Sequence, residues 1–232
     1  MLHLETVSPP LLKIIRAVSS DPVFQDFRLV GGTALSLILG HRISVDADFF
    51  SENPFDNRMA ETALNRLLPG FVVMKESPHG FAGIYQAVKL DLYTWNVPFL
   101  LPPIELEGMR LAALPDIAAL KLDAIVNRKE EKDFRDIHAL LSVYSISELL
   151  TFYRERIPHR DLRLVIDHLA AAPAADRQQP VMLLRQIDYS EVSDDILEAI
   201  RHHLAALKDE QTRLAEARLQ QRIDEIKKRK NE

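Results

Sequence analysis

Cysteine is absent from the chain, which excludes a disulfide-stapled scaffold, a thiolate zinc site and a cysteine nucleophile together. No stretch approaches the roughly 20 apolar residues of a membrane span. The first twenty residues carry neither a basic leader nor an uninterrupted apolar core, so the expectation is a soluble, cytoplasmic protein with no membrane contact. Neither sign of charge dominates. With 29 Lys+Arg against 34 Asp+Glu, the formal net charge is −5, which argues against uniform coating of nucleic acid while permitting a local basic patch. What the 232 residues do hold is 47% hydrophobic and 27% charged side chains. That suffices for a sizeable core and excludes global disorder.

The hydrophobic pattern divides the chain. Leu11, Leu12, Ile14, Ile15 and Val18 follow Pro9 at helical spacing, which predicts a first helix over 9–19. A short apolar strand at 27–30 then runs through Gly31-Gly32 into a helix at 33–39. The stretch 44–50 alternates, with Val45, Ala47 and Phe49 on one side and Asp46, Asp48 and Phe50 on the other. An amphipathic helix at 57–68 is followed by strands at 71–75, 81–85 and 87–93, a proline-rich crossing at 97–103 and an extended piece at 104–111. The sheet should contain five or more strands. From residue 114 only helices are expected: 115–128, 132–142, 146–156, 161–171, a weak one near 181–187 and a long one from Ser193. The reading is α/β (α+β), a mixed β-sheet core over 1–112 followed by an all-helical part over 113–232, with no internal repeat.

One constellation carries chemistry. Val30-Gly31-Gly32-Thr33 is followed, thirteen positions after the threonine, by Asp46-Ala47-Asp48. A glycine turn lets backbone approach a phosphate, and the helix behind it aims its N-terminal amides at that anion. Two carboxylates at i and i+2 on a strand face the same side, where like charges are costly unless a cation sits between them. Oxygen ligands beside a phosphate-bearing substrate favour Mg2+, and two such ions can clamp the attacking and leaving oxygens of an in-line displacement. Taken separately, Gly-Gly is most often a turn and Asp-x-Asp most often solvated surface. In strand, turn, helix, strand order they reinforce one another.

These residues resemble the signature of the nucleotidyltransferase fold shared by DNA polymerase β and many small transferases. The longer run, Gly31 to Leu37 with His41-Arg42 and Asp46-Ala47-Asp48-Phe49-Phe50, is similar to the AbiEii/AbiGii toxin family of nucleotidyltransferases. The likeness spans about residues 25–142. It implies an enzyme that moves a nucleoside monophosphate from an NTP to an acceptor hydroxyl, an RNA or tRNA 3′ end, with Mg2+ as cofactor and an antitoxin protein as partner. A protein side chain or a small molecule is an alternative acceptor.

The fold implies a third metal-binding carboxylate, for which Asp91 in Val88-Lys89-Leu90-Asp91-Leu92-Tyr93 is the candidate; the bland alternative is an exposed Asp opposite a buried face. Lys121 falls inside the apolar stripe of Ile117 and Ile125. It reads either as a lysine snorkelling at the rim of the core, where Lys121→Met should be neutral or mildly stabilising, or as a cation on the triphosphate, where stability should hardly change. Arg42 is a second phosphate candidate, beside the reading of a loop arginine on water. By resemblance, Lys132, Asp133 or Asp136 contributes to the site, with most weight on Lys132 and Asp136; these two could instead form an i,i+4 ion pair. The expected set is therefore Asp46, Asp48, Asp91, Lys121 and Asp136 for catalysis, with Gly31, Gly32, Thr33, Arg42 and Lys132 on the nucleotide. Asp46, Asp48 and Asp91 would hold metal.

The rest reads as structure. His202-His203 point to different helix faces and match no zinc pattern. Tyr93 and the single tryptophan, Trp95, read first as packing residues and second as platforms for a base. Ile196, Ile200, Leu204 and Leu207 begin a seam that Gln211 and Arg218 interrupt, which weakens a purely helical interaction module as the competing function. An inactive nucleotide-binding module is the other competitor, opposed by the complete set of glycines and carboxylates. The terminal Lys227-Lys228-Arg229-Lys230 suits a helix end.

Overall fold

The computed structural model describes residues 1–230, with side chains described through residue 222; the basic run at 227–230 therefore lies outside the described side chains. Ser8 starts α1 (Pro9–Ser20) by accepting the Leu11 N–H, and Pro9 and Pro10 occupy the first turn, where a missing N–H costs nothing. This helix buries Leu11, Ile14, Ile15 and Val18, each worth about 1.5 to 3 kcal/mol once removed from water. The chain continues through β1 (Phe27–Leu29), α2 (Gly31–Leu39), β2 (Ala47–Ser51), α3 (Asn57–Leu67), β3 (Val72–Ser77), β4 (Gly80–Tyr85), β5 (Val88–Thr94), β6 (Ile104–Leu106) and β7 (Met109–Leu111). Helices α4 (Leu114–Asn127), α5 (Glu131–Leu141), α6 (Ile146–Arg156), α7 (Leu162–Leu169) and α8 (Tyr189–Lys230) complete it.

The strands form one mixed sheet in the order β3-β4-β5-β2-β1-β7-β6. Two pairs are parallel, β2 with β5 and β1 with β7. Side-chain alternation divides the central strands: Ala47, Phe49, Leu90 and Leu92 are buried on one face, where α1 packs, which leaves Asp48 and Asp91 on the other. The extended piece expected at 104–111 is the β6/β7 hairpin, and β7 adds to β1 rather than continuing the meander. The apolar core is continuous across residue 112, since Leu29, Leu35 and Leu111 belong to the same cluster as Ile117, Phe134, Leu149 and Ile196.

Three expectations are corrected. Strand β2 begins at Ala47, so Val45 is exposed rather than buried with Ala47 and Phe49. The segment before the strand is held instead by side chains: the Thr33 hydroxyl donates to the Asp46 carbonyl. No helix forms near 181–187. Pro180 withdraws a backbone donor there, and the segment runs as an extended strap, with the Ile43 N–H donating to the Met182 carbonyl at 2.8 Å. At its other end the Asp176 N–H donates to Lys129 O (2.6 Å) and the Glu131 N–H to Asp176 O (2.8 Å). Finally, α8 starts at Tyr189, four residues before the expected Ser193, because the Asp188 carboxylate accepts the Ser190 N–H and caps it. No helix among the described residues is long and apolar enough to cross a membrane.

Candidate active site

The N-terminus of α2 is the first component. Val30 occupies its cap position, and a valine side chain offers no oxygen to the leading amides. Gly31 takes φ +68°, and a Cβ there would lie 2.9 Å from Asp48 Oδ2, so only glycine lets the turn meet the carboxylate strand this closely. At Gly32 a Cβ would overlap the Arg42 guanidinium. The Thr33 side chain faces inward, bonded to Ser44 Oγ at 2.8 Å; only its backbone belongs to the anion-attracting first turn. The uncapped amides and the helix dipole together favour negative charge.

Opposite them lie the carboxylates. Asp48 and Asp91 are direct register partners on the parallel strands β2 and β5. Burial raises the Asp48 pKa, the neighbouring charges of Asp91 and Asp46 raise it further, and Lys121 and Lys89 only partly oppose them. Asp91 receives Lys89 Nζ on Oδ2 at 2.5 Å, while its Oδ1 is buried without a hydrogen-bond partner. Asp46, just before β2, borders the same cleft. A divalent cation suits this donor set, because it would satisfy the orphaned oxygen and relieve the like-charge repulsion. Among the described residues no three acidic or imidazole groups are already gathered for chelation.

Behind the carboxylates is a buried ionic cluster. Asp136, inaccessible to solvent, accepts Arg42 Nε at 2.7 Å and Arg42 Nη2 at 2.9 Å, His41 Nε2 at 2.7 Å and Lys121 Nζ at 2.7 Å. Asp133, equally buried, takes Lys121 at 3.1 Å and both the Nε (2.8 Å) and Nη2 (3.1 Å) of Arg128. Burial alone would raise the Asp136 pKa, but Arg42 and Lys121 hold it well below the usual carboxylate range. Lys121 is therefore not at the core rim. The supposed Lys132–Asp136 pair is also absent, because the Asp136 oxygens are already taken; Lys132 contacts Glu130 at 2.8 Å instead.

Two clefts meet along Asp48, Lys121 and Arg128. The polar one, about 370 Å³, is bordered by Gly32, Thr33, Arg42, Asp46, Asp91 and Lys132, with the strap at 176–182 as its outer wall. The second, about 280 Å³, lies between Phe50 and Trp95 on one side and Leu120 and Ala124 on the other. The structure thus brings nine of the ten expected residues to these clefts, and Asp136 anchors their cations from behind. Lys89 and Arg128 were not assigned a role from sequence, and Asp133 was named only as one of three alternatives. The Lys89–Asp91–Tyr93 alternation was a signal for the first, and the shared helix face of Lys121 and Arg128 was one for the second; Asp133 had only the likeness of its motif.

A family model described as "Nucleotidyl transferase AbiEii toxin, Type IV TA system" matches residues 13–229. The chain belongs to this family. The AbiEii match extends well past residue 142 into α8, beyond the reach of the sequence resemblance. Among curated proteins, an uncharacterised protein of Aquifex aeolicus is 29% identical over 161 residues, covering 67% of this AbiEii-family chain and 78% of that protein. In fold, the chain is similar to JHP933 from Helicobacter pylori, with TM-score 0.53 and 19% identity over 87% of this chain and 99% of that chain. It is also similar to MenT4, a nucleotidyltransferase toxin of Mycobacterium tuberculosis, with TM-score 0.55 and 16% identity over 82% of each chain.

Proposed function

We propose that this AbiEii-family nucleotidyltransferase transfers a nucleoside monophosphate from an NTP to an acceptor hydroxyl at an RNA 3′ end, with tRNA as the preferred class, in a Mg2+-dependent reaction. The observation that carries this reading is the register pair Asp48–Asp91 facing the uncapped N-terminus of α2. The amides of Gly31, Gly32 and Thr33 receive the triphosphate, and Asp46, Asp48 and Asp91 would hold Mg2+. Bound there, the metal supplies charge neutralisation and polarises the attacking hydroxyl. Lys121 and Arg128, at the junction of the clefts, place positive charge on the phosphates. Asp136 acts as a positioning residue, fixing Arg42 and Lys121 without touching substrate. Lys132, on the rim of the polar cleft, meets the acceptor or the outer phosphate.

The toxin–antitoxin description of the family supports a role as a toxin restrained by an antitoxin. Incubation with each α-labelled NTP, Mg2+ and total RNA tests the reading. Label on RNA of one size class, lost on adding EDTA and in Asp48→Asn, is the expected result; label on protein alone would replace the acceptor, and no label would refute the transferase.

A further inference from the structure

We infer that the slot between Trp95 and α4 is the seat of the donor's nucleobase, an assignment that rests on the nucleotide-transfer reading and goes further by naming where the base sits and what holds it. The slot has two unlike walls. On the sheet side, Trp95 follows directly on β5, fixed by its N–H to Ser51 O at 2.8 Å, and its ring lies 5.3 Å from that of Phe50. On the helix side, Leu120, Ala124 and Asn127 fall at i, i+4 and i+7, one face of α4. The floor is Asp48, with Lys121 and Arg128 beside it. A planar, apolar-sided group entering this slot would have its polar end at the carboxylates and the α2 N-terminus, which is the shape of a nucleoside triphosphate.

The chemistry of the rim agrees. Asn127 is oriented by its own helix: Nδ2 donates to the Asp123 carbonyl at 2.8 Å and to Asp123 Oδ2 at 3.0 Å. Its Oδ1 is left as an acceptor for a ring or exocyclic N–H at a base edge. The polar cleft on the far side of Asp48 offers no aromatic residue, so the two clefts divide the substrates by chemistry, base on one side and acceptor on the other. Trp95, partly exposed and packed on Phe50, provides a ready π-face at the slot.

Because Trp95 is the single tryptophan of the chain, its fluorescence reports the slot directly. Each of the four NTPs with Mg2+, the free nucleosides, and inorganic tripolyphosphate with Mg2+ would be titrated against the full-length protein, with calorimetry in parallel. Expected are quenching by at least one NTP and its nucleoside, and none by tripolyphosphate. Trp95→Ala should weaken that NTP about 5- to 100-fold, as loss of a stacking platform does, with tripolyphosphate unaffected. Trp95→Phe should recover most of the affinity, and Ala124→Leu, which narrows the slot while keeping the indole, should abolish quenching. NTP binding that neither quenches Trp95 nor weakens in Trp95→Ala would overturn the base seat while leaving nucleotide transfer standing. Equal loss of tripolyphosphate and NTP in Trp95→Ala would make Trp95 a structural residue and overturn it too. If neither NTP nor tripolyphosphate binds the wild type, the transferase reading fails and the base seat with it.

Discussion

Arg42 and Asp136, 94 residues apart in sequence, meet as a two-point ion pair inside the protein, Nε to Oδ1 at 2.7 Å and Nη2 to Oδ2 at 2.9 Å. The pair joins the loop after α2 to the middle of α5. It thereby couples the glycine turn, whose Gly32 lies against the Arg42 guanidinium, to α4, which carries Lys121 and ends just before Arg128.

Asp136→Asn should destabilise the protein by about 3 to 5 kcal/mol, because Arg42 and Lys121 then remain buried with a neutral partner. Lys132→Ala, which removes only a partly exposed contact with Glu130, should change stability by less than about 1 kcal/mol. Urea denaturation of both variants checks the contrast, and equal effects would remove the buried cluster from the account.

Lys121→Met tests the same cluster from the cationic side. The sequence-based expectation was little change or a mild gain in stability; the structure reverses it, since Lys121 Nζ separates Asp133 and Asp136 at 3.1 and 2.7 Å. A loss of about 3 kcal/mol or more is expected from the two carboxylates left facing each other. Nucleotide affinity is then read under conditions where the variant is still folded.

The pH dependence has opposite signs at the two sites. Asp133 and Asp136 titrate below the ordinary 3.8, so their contribution is complete above that value and is lost as pH falls through their folded values. Asp48 titrates above 3.8 in the folded protein, so without metal its ionisation removes stability as pH rises from 3.8 through its folded value. Asp48→Asn should therefore match or exceed wild-type stability at pH 7 in EDTA, lose the decline above pH 3.8, and abolish transfer. Denaturation curves across pH 3 to 8 with and without EDTA measure the first two, and the labelled-NTP assay measures the third; a variant destabilised at pH 7 in EDTA would contradict the strained carboxylate pair.

Gly31→Ala puts a Cβ at positive φ and 2.9 Å from Asp48 Oδ2. The backbone term alone should cost about 1 to 2 kcal/mol, and displacement of the carboxylate should weaken Mg2+ binding beyond what the stability change explains. Parallel denaturation and Mg2+ titration separate the two effects; unchanged Mg2+ affinity would show that Asp48 is free to move.

Local pattern was enough to read the strand, glycine turn, helix and carboxylate strand, because alternation and turn chemistry are set by neighbours in sequence. The same alternation placed Asp91 on the face opposite Leu90 and Leu92, although not beside Asp48. Periodicity assigns a residue to a face and says nothing of what lies across from it. That is why Lys121 in an apolar stripe read only as a rim residue or a cation on the triphosphate: its partners, Asp133 and Asp136, come from the next helix, where Asp136 also holds Arg42. The strap at 176–183 misled for a related reason, since its backbone partners are residues 42–43 and 129–131 rather than its own next turn. By itself the sequence determined the order of strand, glycine turn, helix and carboxylate strand that carries the Gly-Gly-Thr and Asp-x-Asp groups. Only the tertiary structure decided which cations are buried, that Asp136 anchors rather than faces the cleft, and that Trp95 borders a slot, because each depends on contacts between segments whose separation no local pattern records.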